Sequence, residues 1–509
     1  MRISGLVSGL DIDAMVSKLM EAERAPLNRL NQKKTTLEWK REQYRDLNIK
    51  MVDMRSNKLF NYGLSTSINA KKATITGNTS AVSAKATSVA NVGNMTIEVE
   101  KLATAAILKS GNASTDGIGA VDASKTLADL KAEGKLNYTT GDGTISFKLQ
   151  NGSAAETTIT VNETDSLASV VTAINKSGAN VGAFLDSASG KLSITSKTTG
   201  LASLAVTGDS AGFLANFNLA GEDGADASVI INGIKTTRSS NTFQESGIDI
   251  TLNAESLGTV SRIAVGTDTD HIVNTIKSFI TDYNDLLDSV NKKLNEETYR
   301  NYNPLTSEQK EAMKEKEIEL WEERAKSGLL RRDSTLTTMV DNIRLATISD
   351  VKINGESVNL TSLGIGTGKW YEKGKLVIES EEKLRAAIEA DPDKVMALFT
   401  QKSAETDAKQ KNLPTTPDSG LFQRLSNVLN SSIEDLAKKT GTSRYSIEKT
   451  ESFNASSLMG EELRLLNMKI SDMNSRLVLK ENRYYKQFTA MEKAMNRYSA
   501  QSSSLFGNM

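Results

Sequence analysis

Residues 461–506 read EELRLLNMKISDMNSRLVLKENRYYKQFTAMEKAMNRYSAQSSSLF, a run that contains neither glycine nor proline. Counted in sevens, position a is apolar throughout, at Leu463, Ile470, Leu477, Tyr484, Met491, Tyr498 and Leu505. Position d alternates between apolar and polar residues: Leu466, Met473 and Ala494 against Lys480, Gln487 and Gln501. The spacing predicts one long helix with a coiled-coil seam that is partly polar.

A helix of this kind requires a partner. Its apolar stripe is ~65–70 Å long at 1.5 Å per residue, and each large side chain gains about 1.5–3 kcal/mol when it is fully buried. A single helix in water is marginal and takes most of its stability from packing. The C-terminal helix is therefore expected to pack against another helix, of this chain or of a second one.

The natural mate lies near the other end of the chain. Residues 27–62 contain neither glycine nor proline, and Leu30, Leu37, Tyr44 and Met51 recur in sevens. Two lysines, Lys33 and Lys40, interrupt the d positions, as Lys480 does in the C-terminal helix. Such polar seam positions are either imperfections or determinants of register and partner choice. Pairing of the two terminal helices makes everything between them one large insertion.

A shorter amphipathic helix precedes this segment. Its apolar residues follow helical spacing at Ile12, Met15, Val16, Leu19 and Met20. Asp11 is the expected N-cap and Pro26 the expected end. The polar face carries Asp13, Lys18, Glu21 and Glu23, which is less basic than a membrane-surface helix requires. A protein partner is therefore the favoured interpretation.

The chain changes character between about 70 and 268. Proline and tryptophan are absent there, and short alternating runs such as 95–99, 144–149, 191–195 and 248–252 predict strands. Asn232-Gly233 predicts a hairpin turn, and the apolar spacing over residues 167–174 predicts one helix among these strands. This composition predicts two small β-rich domains, the second inserted in the first.

Helical patterns return near residue 270, and Thr306 with Gln309 fits a capping box for a helix expected to run to Ser327. Pro414 and Pro417 mark a polar linker. The fold class is thus α+β and multidomain, with long terminal coiled-coil helices, a helical core domain with a small β hairpin, and two inserted β-rich domains. The expected boundaries are an N-terminal leg at 1–45, the core at 46–70 and 269–400, the first β-rich domain at 71–106 and 227–268, the second at 107–226, the linker at 401–420 and a C-terminal leg at 421–509.

Composition excludes several classes of function. The 62 Lys and Arg residues balance 63 Asp and Glu residues, which argues against a nucleic-acid-binding protein. The absence of cysteine excludes disulfides, thiol nucleophiles and cysteine-ligated zinc. No apolar run is long enough for a membrane span, and residues 1–25 are too polar for a secretory signal peptide. The chain is expected either to be cytosolic or to leave the cell by another route.

Few residues suggest chemistry. Asp268, Asp270 and the single histidine, His271, lie at the start of a predicted helix, where capping is a simpler role than metal binding. Gly364, Gly366 and Gly368 have the wrong spacing for a dinucleotide-binding loop and indicate a hairpin. The sequence predicts no active site, no metal and no cofactor.

Several motifs resemble those of flagellar hook-associated protein 2, the FliD family of filament caps. The opening motif contains Gly5, Leu6, Ser8, Gly9, Leu10 and Asp11. Further similarity lies at 97–103, at 279–286, in Trp321 and 327–330, at 487–492, which includes Phe488, and at 501–503. Residues 166–175, which end in Ala173-Ile174-Asn175, resemble a repeat shared by hook-associated proteins and some flagellins. The closing pattern departs from the family at Met491 and Tyr498.

The resemblance implies a secreted structural protein at the tip of the bacterial flagellar filament. Members leave through the flagellar type III export channel and form a ring-shaped homo-oligomer, a pentamer or a ring of similar size. The ring directs insertion of exported flagellin and prevents its loss to the medium. The implied partners are other copies of the chain, flagellin, hook–filament junction proteins and an export chaperone, with neither nucleic acid nor membrane insertion.

Three alternatives stay open at the level of sequence. A Thr- and Ser-rich β tip on helical stalks also suits an adhesin for mucin or glycans, which a binding assay on the 70–268 fragment tests. A hook–filament junction protein is a related assembly role, which the opening motif disfavours. An enzyme is disfavoured by the single histidine and the lack of catalytic motifs.

Overall fold

In the computed structural model, residues 11–113 and 116–506 are described, with the side chains described up to residue 502. The predicted N-terminal motif, from Gly5 to Leu10, and the Leu505 side chain therefore lie outside the described residues. The chain divides into two compact units. The helical unit comprises the residues up to Asn69 and those from Thr269 on, and the β-rich unit comprises Ala70–Asp268.

The helices of the described residues lie mainly in the helical unit. They are α1 Ile12–Asp53, α2 Leu59–Tyr62, α3 Ser65–Ile68, α4 Leu127–Ala132, α5 Leu167–Lys176, α6 Thr269–Asn295, α7 Ser307–Glu311, α8 Glu315–Lys326, α9 Ser334–Ile348, α10 Glu381–Ala390, α11 Pro392–Thr400, α12 Ala408–Lys411, α13 Leu421–Thr440 and α14 Leu458–Phe506. One π-helical turn, Met54–Lys58, connects α1 to α2.

The strands of the β-rich unit are β1 Lys71–Gly77, β2 Val82–Ala86, β3 Gly93–Lys101, β4 Ala105–Ser110, β5 Thr144–Asn151, β6 Thr157–Asn162, β7 Val181–Asp186, β8 Lys191–Thr199, β9 Leu204–Asp209, β10 Leu219–Glu222, β11 Ala227–Ile231, β12 Ile234–Arg238, β13 Thr242–Glu245, β14 Ile248–Leu252 and β15 Ser261–Thr267. Two short hairpins belong to the helical unit: β16 Val351–Ile353 with β17 Glu356–Val358, and β18 Ile365–Thr367 with β19 Leu376–Ile378. Long terminal helices combined with several antiparallel sheets confirm the predicted α+β class.

The β-rich unit contains two separate apolar cores. One lies under the sheets β1-β15-β3-β11-β12 and β13-β14-β2, with Ile97, Val229 and Ile263 fully buried. The other lies under the sheets β10-β4-β8-β7 and β6-β5-β9, with Phe147 and Phe213 at its centre. Asn232 and Gly233 both have positive φ in the turn between β11 and β12, as the predicted hairpin requires. The domain boundaries drawn from the sequence stay predictions.

The core of the helical unit is an aromatic cluster between α6, α11 and α13. Phe279 lies 5.0 Å from Phe422 and 6.1 Å from Phe399, measured between ring centroids. Tyr62 lies edge to face against Phe279, and the Tyr283 ring lies 6.0 Å from it at a tilt. Helix α1 ends at Asp53, and Met51 and Val52 in its last turn are fully buried.

The prediction that Pro26 ends a helix is wrong. Helix α1 runs without a break from Ile12 to Asp53, and Asp11 caps it by accepting a hydrogen bond from the Ala14 amide at 2.9 Å. A proline inside a helix removes one backbone hydrogen bond. Here Pro26 is exposed, while Met20 and Leu27 on either side pack in one apolar cluster. Tertiary packing therefore keeps the helix continuous.

The capping box of Thr306 and Gln309 is confirmed, but the helix it starts ends at Glu311 and a second one begins at Glu315. The segment 401–420, predicted as a linker, is held to α13 through Arg424. That guanidinium is fully buried and donates hydrogen bonds to the backbone carbonyls of Thr416, Ser349 and Asp350, at 2.7 to 3.0 Å.

Candidate functional site: the pairing of α1 with α14

Helices α1 and α14 pack along each other in antiparallel orientation. Near the start of α1, Asp13 accepts a hydrogen bond from the Tyr485 hydroxyl at 2.9 Å. Towards its end, Arg41 contacts Ser457, immediately before α14. Residue numbers on α14 therefore fall as those on α1 rise, and the predicted pairing of the two terminal helices occurs within one chain.

The apolar part of the pairing is a small cluster at the N-terminal end of α1. Ile12, Val16 and Met20 are buried there against Leu477, which is only 7% exposed. Six half-buried side chains complete the cluster: Met15, Leu27, Met473, Tyr484, Tyr485 and Phe488. The residues that form it on α1 are those of the short amphipathic helix, so a protein partner for that helix is supplied by α14.

Lys480, a polar interruption of the heptad pattern, pairs with Glu23 of α1 across the seam. The Tyr484 hydroxyl donates a second hydrogen bond to the same carboxylate at 3.1 Å. These two hydrogen bonds lower the pKa of Glu23, and the one from Lys480 has the larger effect. The interruption therefore has a partner of opposite charge, and that pair fixes the register of the two helices.

The predicted seam residues of α14 separate into two groups. Leu463, Leu466, Ile470, Met473, Tyr484 and Phe488 are half-buried, and Leu477 is buried. Met491 and Tyr498, where the sequence departs from the family pattern, are 39% and 72% exposed. The stripe is therefore covered by the described part of α1 only as far as Phe488.

The predicted seam residues of α1 also differ from one another. Leu30 and Leu37 are half-buried, and Leu37 lies beside Leu466 of α14. Tyr44 and Met51 are fully buried in the core of the helical unit. Other elements of the same chain cover these two residues, and their role as coiled-coil, oligomer or flagellin contacts stays a prediction.

Tyr44 belongs to a polar network that joins three helices. Its hydroxyl donates to Asp333, the N-cap of α9, at 2.5 Å, and Lys439 of α13 donates to the same carboxylate oxygen at 2.8 Å. Burial alone would raise the pKa of Asp333, but the hydrogen bonds from Lys439, Tyr44 and the Leu336 amide outweigh it and lower the pKa below its usual value. The carboxylate is therefore charged at neutral pH and holds α1, α9 and α13 together.

The start of α14 is fastened to α1 by two arginines. Arg41 is buried and donates to the carbonyl oxygens of Thr440 at 2.5 Å and Asn454 at 3.0 Å. The guanidinium groups of Arg41 and Arg45 lie 4.1 and 3.9 Å from the centre of the Phe453 ring. Sequence reasoning missed this contact, because two arginines on a helix surface resemble ordinary solvated charge.

A second apolar stripe on α14 was also missed. Leu458, Leu465, Met468, Val478 and Leu479 are exposed on faces that α1 leaves uncovered. The signal was present in the sequence, because Leu458, Leu465 and Leu479 stand at multiples of seven, interrupted by Asp472. Uncovered stripes of this kind mark sites of protein interaction.

The described residues, 11–113 and 116–506, contain no cluster of three or more His, Cys, Asp or Glu side chains that suits a metal ion. In that same part of the chain, every helix is too short or too polar to cross a bilayer. Asp270, which lies beside the single histidine in the sequence, forms an ion pair with Arg385 at 2.6 Å. This ion pair lies at the start of α6.

Comparison with known proteins identifies the family. Models of the N- and C-terminal parts of flagellar hook-associated protein 2 match residues 8–106 and 224–500, and a model of the flagellin hook IN motif matches 135–198. The chain is 32% identical to flagellar hook-associated protein 2 of Halalkalibacterium halodurans over 99% of both proteins. The chain belongs to the flagellar hook-associated protein 2 family. The resemblance seen in the sequence motifs is thereby confirmed.

Two further proteins share less of their sequence with this chain. Flagellar hook-associated protein 2 of Escherichia coli is 25% identical over 98% of this chain and 96% of its own length. The crystal structure of the D1-D2-D3 domains of the Escherichia coli flagellar cap protein FliD matches with a TM-score of 0.53 and 21% identity, covering 79% of this chain and 97% of that one. This likeness supports the fold.

The geometry also explains the Ile174-Asn175 pair within the segment that matches the hook IN motif. Ile174 is fully buried in the second β core. The Asn175 amide accepts from the Ala183 backbone N–H at 2.7 Å and donates to the Ala183 carbonyl at 3.1 Å. Strand β7 is an edge strand, so this side chain occupies the hydrogen-bonding positions that a further strand would use. The pair has a structural role in the sheet.

Proposed function

We propose that this chain is the capping protein at the distal tip of a flagellar filament, where it forms a ring, directs the insertion of exported flagellin and prevents flagellin from escaping. Family membership supports the class of function. The observation that carries the proposal is the helix pair, whose α14 member is about 70 Å long at 1.5 Å per residue.

The part of α14 beyond Phe488 is the part of the pair that we assign to flagellin. Beyond Phe488, Met491, Met495 and Tyr498 are exposed apolar side chains on one helix. A helical subunit that enters the filament beside this end covers these side chains, and it leaves them exposed again when the cap moves on.

The same surface suits the other expected partners. An export chaperone that covers the apolar stripe of α14 keeps it from aggregating before export. Export through the flagellar type III channel requires an unfolded chain, and the absence of cysteine removes disulfides as an obstacle to it. Before the first flagellin is inserted, the cap is expected to bind the hook–filament junction proteins.

The test is a gene deletion in the source bacterium, with flagellin measured in the culture medium. The cap function predicts bald cells that retain hooks and release unpolymerised flagellin, and the wild-type gene restores filaments. Normal filaments without released flagellin would contradict the proposal and favour an adhesin role for the β-rich unit.

A point variant separates the helix pair from the rest of the protein. Leu477→Asp places a charge in the buried cluster and is expected to abolish filament growth while the β-rich unit stays folded, as measured by its circular dichroism. Ser475→Asp also adds a negative charge two residues away, at an exposed polar position outside both apolar stripes, and serves as the matched control. Wild-type filaments from the Leu477 variant would refute the role of the pair.

A further inference from the structure

Among the described side chains of the helical unit, the most exposed aromatic residue lies at the tip of the hairpin β18–β19. Trp370 is 89% exposed, and Tyr371 beside it is also exposed, with the two rings 6.0 Å apart and edge to face. Exposed tryptophan and tyrosine in contact are typical of binding hot spots, since they supply a large apolar area with few rotatable bonds. The feature therefore indicates a docking surface.

The hairpin is held firmly, so the tip has a defined position. The Tyr283 hydroxyl of α6 donates to the Gly374 carbonyl at 3.1 Å. The Asn284 side chain forms two hydrogen bonds, both 2.8 Å long, with the backbone of Leu376. Lys375 pairs with Asp288 at 2.5 Å. A preorganised anchor loses little conformational entropy on binding.

A groove of about 650 Å³ adjoins Trp370, between the end of α6, α9 and the hairpin. Its lining includes the cations Arg332, Arg344 and Lys373 and one carboxylate, that of Asp341. Within the part of the chain that the structure describes, none of these three cations forms an ion pair. We name this surface the Trp370 groove, and its charge favours an acidic occupant.

The base of α14 has the complementary character. Leu458, Leu465 and Met468 are exposed there, and the carboxylates of Glu461 and Glu462 lie between them. Arg464 pairs with Glu461 at 2.9 Å, whereas Glu462 projects as an exposed carboxylate. We name these five residues, from Leu458 to Met468, the α14 base. It shares no lining residue with the Trp370 groove.

We propose that the Trp370 groove of one copy binds the α14 base of the next copy in the ring. An apolar, cationic surface and an apolar, acidic surface at different places on one chain form a head-to-tail contact, and repetition of that contact closes a ring. Trp370 packs against Leu465, and Arg344 faces Glu462. This inference rests on the self-association assumed in the proposed function, but its contact is tested on purified protein without flagellin.

The first experiment uses the absence of cysteine in the chain. Full-length Trp370→Cys and Leu465→Cys variants are purified separately, mixed and oxidised. Because each chain carries only one of the two cysteines, a disulfide that joins positions 370 and 465 must link two copies. A mixed cross-linked dimer well above the yield of either variant alone is expected. Mixing Leu465→Cys with Ser153→Cys, an exposed position in the β-rich unit, gives the background.

The second experiment reverses the charges. Arg344→Glu and Glu462→Arg are each expected to weaken self-association at least about tenfold in analytical ultracentrifugation, because each places like charges opposite one another. The double variant, which restores opposite charges, is expected to recover association. All five side chains replaced in these experiments are exposed, so the variants are expected to retain the fold.

The outcomes are distinct. Absence of the mixed cross-link above background would overturn the contact. So would a double variant whose loss of self-association equals the sum of the losses in the two single variants. Retention of flagellin in the deletion strain by the Arg344→Glu variant would likewise overturn it, because a ring that needs this contact cannot close. Failure of the deletion test itself concerns the cap function and leaves the cross-linking result unaffected.

Discussion

Replacement of Leu477 by alanine tests whether the small apolar cluster holds α1 to α14. Leu477 is 93% buried against Ile12, Val16 and Met20, because only 7% of it is exposed. The change removes three carbon atoms, which at about 0.8 kcal/mol for each buried methylene costs about 2 kcal/mol. A change of 1.4 kcal/mol is tenfold in an equilibrium constant, so the separated form becomes about 30-fold more populated.

The assay is amide hydrogen exchange measured by mass spectrometry on the purified chain. Peptides that cover 12–27 are expected to exchange about 30-fold faster in Leu477→Ala, because opening of the helix pair exposes this part of α1. Leu479→Ala is the matched control, since the same truncation at a side chain that is 70% exposed removes almost no buried area. Its exchange is expected to match the wild type.

The reasoning is refuted if the two variants exchange alike. Equal acceleration would mean that helix propensity, rather than the contact with α1, governs the segment. No acceleration in either variant would mean that Glu23, Lys480 and Tyr484 hold the pair without the apolar cluster. In that case Lys480→Ala becomes the disruptive change.

Three further predictions concern the scaffold around the pair. Asp333→Asn is expected to lower the free energy of unfolding by about 1.5–3 kcal/mol at pH 7. Because the pKa of Asp333 is lower in the folded state, the difference in stability between wild type and variant is complete above the unfolded pKa, about 3.9, and disappears as the pH falls through the folded pKa. A stability difference that calorimetry still finds at that low pH would contradict this. Arg424→Lys should accelerate amide exchange over 401–420, because lysine cannot donate to the carbonyls of Thr416, Ser349 and Asp350 together. Arg331→Lys, the same change at an exposed arginine, should leave that exchange unaltered. Asn175→Ala should speed exchange of the Ala183 amide about fivefold, for a lost hydrogen bond of about 1 kcal/mol, and leave it unchanged in the neighbouring exposed Lys176→Ala.

The sequence allowed the large elements to be predicted because their patterns are long and local. A heptad over seven repeats in α14 and alternating strands such as 248–252 depend on nearby residues alone. The caps at Asp11 and Thr306 are also local, and both are present. Pro26 was misjudged because a local rule was outweighed by the cluster around Met20 and Leu27, which requires α14.

The site was harder to predict because its decisive contacts join distant segments. The partner of Lys480 is Glu23, at the other end of the chain, and no local pattern pairs them. Arg41 and Arg424 bind backbone carbonyls, which every residue has, so no residue type in the sequence indicates their partners. Tyr44 fits the heptad as well as Leu37 does, and only the position of α9 and α13 decides that it belongs to the core.

The location of the protein on the filament tests the central claim most directly. Ser153→Cys provides a single thiol at an exposed turn between β5 and β6 of an otherwise cysteine-free chain, so a maleimide fluorophore labels one position on intact cells. The cap account predicts one fluorescent focus at the distal tip of each filament, and predicts that this focus stays at the tip as the filament lengthens. Label at the base of the filament, or along its length, would contradict it.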